Sequence, residues 1–409
     1  MKSLRRLVTN TTTRYSQRNM CSNAQHENPI LNYEFYLRLE KHKNEDAHRS
    51  SSGTPIDPRS ALQNELHEQN IKRWVYDANT KISIGWKQLE WILKSQIMCG
   101  SYSPVVNRVS EEFLGETTGN NIKEFLSECY VFDCKEYERS IKVPADPDDR
   151  WNPYSKKMFL DYPGEQRLTR NMFTSVLKNA LNLSRVISAE ASCRTFTSFD
   201  SPIQTMYDRG NMNSILLRQD NCLNFMSSKC LPLISNKEEV KSTENYKFDD
   251  FYPLNPLLDF KFTDLYNDYE SFGVASKESK DEFFPHTSFL PAVTAKSDRM
   301  QYAVCFIAFS NALTKARHLY GSEELDLETP IVAQCVGSTG FDLHFATCQL
   351  NTTRFGDDEG VKNMIWVQPN ISFYKSVRRE FDLLVDGYNA SAGLTLMAHV
   401  MNGLVNDVN

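Results

Sequence analysis

The chain has 409 residues, 40% of them hydrophobic and 24% charged, which is apolar material enough for one large domain or two smaller ones. A formal net charge of −6 argues against a protein that grips nucleic acid over its whole surface, so any such contact is a local patch. No apolar run reaches the length that spans a bilayer, and the richest, Tyr302 to Phe309, is far too short.

Ten cysteines are scattered without a Cys-x-x-Cys pair, and neither Cys129 with Cys134 nor Cys222 with Cys230 has a common zinc spacing. Isolated thiols of this kind read as small buried apolar residues in a reducing compartment. Neither a metal nor a cofactor is expected.

At the N-terminus the first acidic residue is Glu27, and before it stand Lys2, Arg5, Arg6, Arg14 and Arg18 among Ser, Thr and Asn. Leu4, Leu7 and Val8 form one apolar stripe if this segment is helical. Arg-rich, hydroxyl-rich and acid-free is the pattern of a mitochondrial presequence, expected here over residues 1–25; a disordered basic tail is the alternative. Removal of those residues takes away five positive charges and no negative ones, moving the net charge from −6 to −11.

Residues 26–60 are polar and read as an extended arm. Ala61 to Lys94 has helical character with a strand-like piece at Trp74 to Tyr76, and Trp74, Trp86 and Trp91 are its anchors. A loop rich in Pro and Asp covers Val143 to Pro153. Glu165 to Glu190 is the clearest amphipathic helix, with Met172, Val176, Leu183 and Ile187 on one side and Arg167, Lys178 and Arg185 opposite, Arg170 nearby. Pro202 to Tyr207 and Asn213 to Gln219 read as a strand pair, joined by a turn at Asp208–Asn211 whose residues tolerate positive φ. Residues 235–295 look irregular.

A helix is expected from Ser297 as N-cap to Tyr320, with Gly321 as C-cap. Val304, Phe306, Ile307, Phe309, Leu313 and Leu319 cover most of its wheel, so it is buried on more than one side. Strands are expected at Ile331 to Val336, across Phe341, Leu343 and Phe345, and at Met364 to Val367. These elements predict an α+β fold: mixed helices with antiparallel or hairpin strands, in one large core domain plus an extended N-terminal arm. The expected divisions are the presequence to residue 25, the arm and a helical region over 26–140, the core over 141–390, and a C-terminal tail segment over 391–409.

Enzyme templates fail one after another. There is no P-loop and no dinucleotide-binding glycine motif, and Gly337-Ser338-Thr339-Gly340 has its second glycine one residue too early for a nucleophile elbow. That tetrapeptide reads as a hairpin turn. Asp146, Asp148 and Asp149 read as a solvated acidic loop before they read as a cation site. His286 is a conceivable base, but no carboxylate or nucleophile stands at a telling distance, and it reads as structural, as does His318. No catalytic residue is assigned. The best functional surface is the basic face of the Glu165 to Glu190 helix, where Arg167, Arg170, Lys178 and Arg185 are expected to meet RNA phosphate; the alternatives are acidic side chains of a neighbouring protein or water alone.

Several runs together suggest a family. They are Ala316–Gly321, Pro330–Gly337, Gln349-Leu350-Asn351-Thr352-Thr353, Glu359-Gly360-Val361-Lys362-Asn363 and Trp366-Val367, with Phe251–Asp259 and Pro285-His286-Thr287 upstream. In order and spacing they resemble the mitochondrial large-ribosomal-subunit protein thirty-seven family, strongly over 231–367 and more faintly over 131–219. A sister family, once called small-subunit protein thirty, shares the Gln-Leu-Asn-Thr element but less clearly Glu-Gly-Val-Lys-Asn.

The resemblance implies a non-catalytic mitochondrial ribosomal protein at the periphery of the large subunit. It implies contacts with neighbouring ribosomal proteins, the sister protein among them, and with large-subunit rRNA, but with no membrane and no small-molecule substrate. A matrix enzyme of unrecognised type and a transient assembly factor stay open as alternatives. Gln349 to Lys362 is expected to be structural, with Asn351, Thr352 and Thr353 bonding their own backbone to end a strand, and Gly360 supplying an unusual backbone angle.

Overall fold

A long helix buried nearly all round organises the molecule. In the computed structural model this helix spans Ser297–Tyr320, the limits read from the sequence, and Gly321 ends it at φ 84° with its N–H on the Arg317 carbonyl at 2.8 Å. The structure describes residues 72–77, 80–100, 103–109, 164–210, 213–264, 270–273, 282–291, 297–339, 342–373, 376–379 and 383–404. The chain divides into units 1–69 and 70–409, and every described residue belongs to the second. The expected presequence, the arm over 26–60 and the Asp146–Asp149 loop fall outside the described residues.

In chain order the elements are β1 (Lys72–Tyr76), α1 (Trp86–Leu93), β2 (Ser95–Cys99), α2 (Pro104–Arg108), α3 (Gly164–Ile187), α4 (Ala189–Arg194), β3 (Thr195–Arg209) and β4 (Asn213–Ser227). Then come α5 (Lys237–Ser242), β5 (Lys261–Asp264), β6 (Ser271–Phe272), β7 (Phe284–Leu290), α6 (Ser297–Tyr320), β8 (Asp326–Ser338), β9 (Asp342–Thr352) and β10 (Asn363–Val367). The chain closes with β11 (Ile371–Ser372), the hairpin β12 (Ser376–Arg379) and β13 (Leu383–Asp386), and α7 (Ala390–Met401).

The main sheet runs β2-β10-β9-β8-β7-β4-β1-β5, with β3 along β4, β6 on β3, and β11 on β9. It is an α+β architecture, as expected. The hairpins β3–β4 and β8–β9 are antiparallel, while β1–β4, β2–β10 and β7–β8 are parallel. The strand-like piece expected at Trp74 to Tyr76 is β1 and helical character is found in α1, but residues 95–99 add a second sheet strand, and residues 391–401, expected as a tail, lie in a buried helix.

Strand periodicity sorts the sheet into two cores. Ile331, Ala333 and Cys335 of β8, with Ala346, Cys348 and Leu350 of β9, face α6 and α1. Val336, with Leu343 and Phe345 of β9 and Phe225 of β4, faces the opposite layer of α3 and α7. Both faces are covered, so Ile331–Ser338 of β8 and β9 from Leu343 onward are buried without a break instead of alternating. Gly337 marks the closest approach of β8 to α6, since a Cβ there would stand 2.5 Å from Met300 Sδ and 2.7 Å from a Val304 methyl. Among the described residues no helix is long and apolar enough to cross a membrane.

The segment expected to be irregular holds β7 at the centre of the sheet. Pro285 has no N–H to donate, and the β4–β7 register shifts beside it: Phe225 pairs with Thr287 and Met226 with Pro285, leaving His286 as the extra residue of a bulge.

Candidate nucleic-acid interface

Helix α3 buries Val176, Leu177, Ala180, Leu181 and Ser184, with Leu183 and Ile187 half-buried at the margin. The buried stripe is therefore turned from the expected one, because α3 is gripped by α7 and α4 as well as by the sheet side. The helix also stops sooner, at Ile187, where Ser188 caps α4 and donates its hydroxyl to Leu404 O at 2.9 Å.

This rotation decides the fate of the basic residues. Lys178 is exposed. Arg185 follows buried Leu181 by one helical turn, so it lies at the edge of the packed face and is half-buried. Its Nη2 donates to Thr197 Oγ1 of β3 at 3.0 Å. Arg167 and Arg170 stand in the first half of α3, where side chains are outside the described residues. The structure thus sets all four on one helix and places one firmly in solvent and one over β3.

Beneath this layer lies a buried polar network. His286 Nε2 meets Asn402 O at 2.7 Å and its Nδ1 meets Thr287 Oγ1 at 2.8 Å. His399, on α7, points Nδ1 at Thr395 O (2.8 Å) and stacks on Phe345 at 4.7 Å. Gln334 of β8 donates to Thr287 Oγ1 (2.9 Å) and His399 O (3.0 Å) and accepts from Asn402 Nδ2 (2.7 Å). Burial pulls both histidines down from 6.5 to about 4, so each is neutral near pH 7. Through these bonds His286 ties β7 to the C-terminal end of α7. Among the described residues no group of three His, Cys, Asp or Glu is placed to hold a metal ion.

A second assembly brings together the motifs of the family resemblance. Lys94 ends α1 in the left-handed region at φ 44°, and its buried Nζ reaches Asp357 Oδ1 at 3.1 Å. The Arg209 guanidinium donates to Trp91 O (2.7 Å), Phe355 O (3.1 Å) and Asp357 O (3.3 Å), and pairs with Asp358. It also lies 4.5 Å over the Trp91 ring. Lys362 donates Nζ to Gly360 O at 2.5 Å, and burial followed by the nearby Lys94 charge pulls its amine below the usual range. Gly360 takes φ 74°, the unusual angle expected of it. These three cations, far apart in sequence, together clamp the 357–360 loop.

Around them the amides act as clamps between segments. Asn363 Oδ1 accepts from the N–H groups of Asn351 (2.8 Å) and Thr352 (3.0 Å), and Asn351 Nδ2 donates to Lys362 O at 3.0 Å. Gln349 Oε1 accepts from Ile234 and Ser235 N–H, both at 2.9 Å. The Thr353 hydroxyl donates to Glu323 O at 3.1 Å. The expectation that Asn351, Thr352 and Thr353 bond their own backbone is thereby corrected. Apart from the Thr352 hydroxyl, which accepts from Arg354 N–H at 3.1 Å, they tie β9 to other strands and loops.

No sequence spacing announced Lys94 or Arg209 as partners of Lys362, nor Gln334 and Asn402 as partners of His286; the runs Glu359–Asn363, Pro330–Gly337 and Pro285–Thr287 drew attention to Lys362, Gln334 and His286 singly, and nothing in them to Lys94, Arg209 or Asn402.

No family model matches the chain. Among curated proteins it is similar to large ribosomal subunit protein mL37 of Mus musculus, 28% identical over 329 residues, covering 78% of this chain and 71% of that protein. The mL37 of Rattus norvegicus is 27% identical over 330 residues with the same coverage. That of Gallus gallus is 32% identical over 154 residues, covering 36% of this chain and 35% of that protein.

Proposed function

We propose, from its place in the mL37 family, that this chain is a structural protein of the large subunit of the mitochondrial ribosome. It works in mitochondrial translation by holding neighbouring ribosomal proteins and rRNA, and performs no catalysis. The observation that carries this reading is the extent of the likeness, 329 residues over 78% of the chain. The buried clamps around Asn363 and Arg209 fit a structural role, because each bonds backbone groups of other segments. Sedimentation of mitochondrial lysate tests it. Co-migration with the large subunit in high salt is expected; a light soluble fraction favours an enzyme, and release at moderate salt favours an assembly factor.

Within that role, residues 1–25 act as the presequence that delivers the chain to the matrix. Fused to a reporter they suffice for import, and changing Arg5, Arg6, Arg14 and Arg18 to Glu abolishes it; unaltered delivery counts against the assignment. The sister protein once called protein thirty is among its neighbours, a contact that protein crosslinking within purified subunits would reveal.

The face of α3 carrying Arg167, Arg170, Lys178 and Arg185 meets rRNA phosphate. An acidic chain that holds a group of positive charges on one helix, with Lys178 exposed, supports this. Ultraviolet crosslinks from residues 164–187 to rRNA are expected. Crosslinks confined to protein, with unchanged salt resistance when all four become Gln, exclude it.

A further inference from the structure

The segment between Tyr252 and Phe262 exposes four large apolar side chains: Tyr252 at 89%, Leu254 at 57%, Leu258 at 45% and Phe262 at 54%. A single exposed leucine is ordinary, but four large apolar side chains exposed within eleven residues are not, even with Phe262 of β5 partly covered by Trp74 at 4.8 Å.

The backbone beneath them is braced. Successive turns close where Leu254 N–H donates to Phe251 O (2.6 Å), Leu258 N–H to Asn255 O (3.1 Å) and Phe260 N–H to Leu257 O (3.0 Å). Asp250 Oδ1 accepts from Tyr252 N–H at 2.9 Å, and Asn255 Oδ1 from Leu257 N–H at 2.8 Å. The base is pinned to the segment before α1 and to α1 itself: Asp259 accepts from the Ser83 N–H and hydroxyl, each at 2.7 Å, and Gln88 Nε2 donates to Pro256 O at 2.7 Å. Leu257 is fully buried below. The fold therefore holds the loop in shape while leaving its apolar tips outside, which is how a preorganised binding element is built.

Charge decides the kind of partner. Residues 244–262 carry four carboxylates, Glu244, Asp249, Asp250 and Asp259, against two ammonium groups, Lys247 and Lys261. Lys261 is already paired with Asp77 at 3.1 Å and Asp249 with Lys87 of α1 at 4.0 Å, which leaves Glu244, Asp250 and Asp259 against Lys247. Such a rim repels phosphate and attracts Lys and Arg.

We propose that the 251–262 loop is a protein-docking surface whose partner is another protein of the large subunit, offering an apolar pocket rimmed by Lys or Arg. This rests on the ribosomal reading above. Tyr252 and Leu254 enter the pocket, and the surrounding carboxylates set its orientation.

The test places p-benzoylphenylalanine at position 252 of the full-length chain in living mitochondria, followed by irradiation of purified large subunits and peptide mapping. The expected product joins position 252 to a peptide of a different subunit protein in which apolar residues are flanked by Lys or Arg. In competition with the unaltered chain, a Tyr252→Ser, Leu254→Ser variant is expected to enter the subunit several-fold less while melting at the same temperature. A crosslink to rRNA, a crosslink to a second copy of this chain, or no crosslink from a chain seated in the subunit overturns the proposal. A chain that never sediments with the subunit overturns the ribosomal reading instead, so the two failures are distinct.

Discussion

Lys94, Arg209 and Lys362 lie hidden beneath the 357–360 loop, whereas Lys178 and Arg185 ride on α3 at the other side of the sheet. The first group is bound to carbonyls, carboxylates and aromatic faces. The second has one exposed ammonium and one guanidinium resting on Thr197. The difference teaches that a cation's role follows from its desolvation. A buried guanidinium bonded to three carbonyls and a carboxylate is part of the framework, and its removal unmakes structure. An exposed one contributes little to folding.

The sharpest way to break this comparison is at Arg209. Arg209→Met leaves the carbonyls of Trp91, Phe355 and Asp357 without their donor, and is expected to cost about 3–5 kcal/mol. Denaturant unfolding at low and high salt checks it, and the loss should be nearly independent of salt. Arg209→Lys should rescue little, because an ammonium cannot reproduce the fork. A loss under 1 kcal/mol places Arg209 with the surface cations.

Acid distinguishes the two regions next. Burial holds His286 and His399 at about 4 when folded, against 6.5 when free. Between those values the unfolded chain takes up protons that the folded chain refuses, so stability present above pH 6.5 is lost as pH falls toward 4. Between pH 6.5 and 5.5 the expected loss is roughly 1 kcal/mol per histidine. The clamped loop behaves otherwise. Asp357 is held below its usual range, first by the hydrogen bond from Lys94, so its contribution is full above the ordinary carboxylate range and is lost as pH falls through that range toward the lowered value. Hydrogen exchange at pH 7 and 5.5, corrected for intrinsic rates, should show α7 loosening before the strands around Arg209. Equal loosening contradicts the assignment.

Smaller still is Gly360→Val. At φ 74° a β-branched residue is strained by about 1–2 kcal/mol, while Gly360→Asn should be milder. Thermal unfolding of both variants measures the difference, and equal melting of Val and Gly forms would remove the backbone argument. The smallest effect on folding is expected when Arg167, Arg170, Lys178 and Arg185 all become Gln. Stability should move by no more than about 0.5 kcal/mol, since Gln keeps helix propensity, while retention on the large subunit becomes sensitive to salt. A loss of stability as large as that of Arg209→Met would merge the two groups.

These contrasts also explain what the residues reveal in advance. Helix α6 is legible because a dense apolar run sits between Ser297 and a glycine at the C-terminus, and β8 and β9 because their apolar residues are β-formers separated by a turn. Strand β7 is not, since Pro285, His286, Thr287 and Ser288 are polar or strand-breaking and are accommodated only by a bulge and by α7. Helix α7 escapes for a related reason: Gly393 and Thr395 weaken its propensity, and its stability comes from packing on α3 and the sheet. The basic side of α3 follows from helical period alone, but its rotation does not, because that depends on where α7 lies. The loop clamp stays invisible, as Lys94, Arg209 and Lys362 are joined by topology and by no spacing.

The cysteines of the α6 side have a practical consequence. Cys222, Cys305, Cys335 and Cys348 are buried and unpaired, with burial pushing each thiol far above its ordinary range, while Cys99, Cys193 and Cys230 are exposed. Among the described cysteines a thiolate-seeking reagent therefore meets two populations, separated by the opening of the sheet-helix core. Cys193 and Cys230 react with the native molecule, Cys99 more slowly because desolvation and then the nearby Glu90 charge raise its thiol to about 11, and the four buried thiols are modified only as fast as the core opens. The molecule thus carries an internal clock, and counting modified sulfurs against time reads out how often the core opens without any added label.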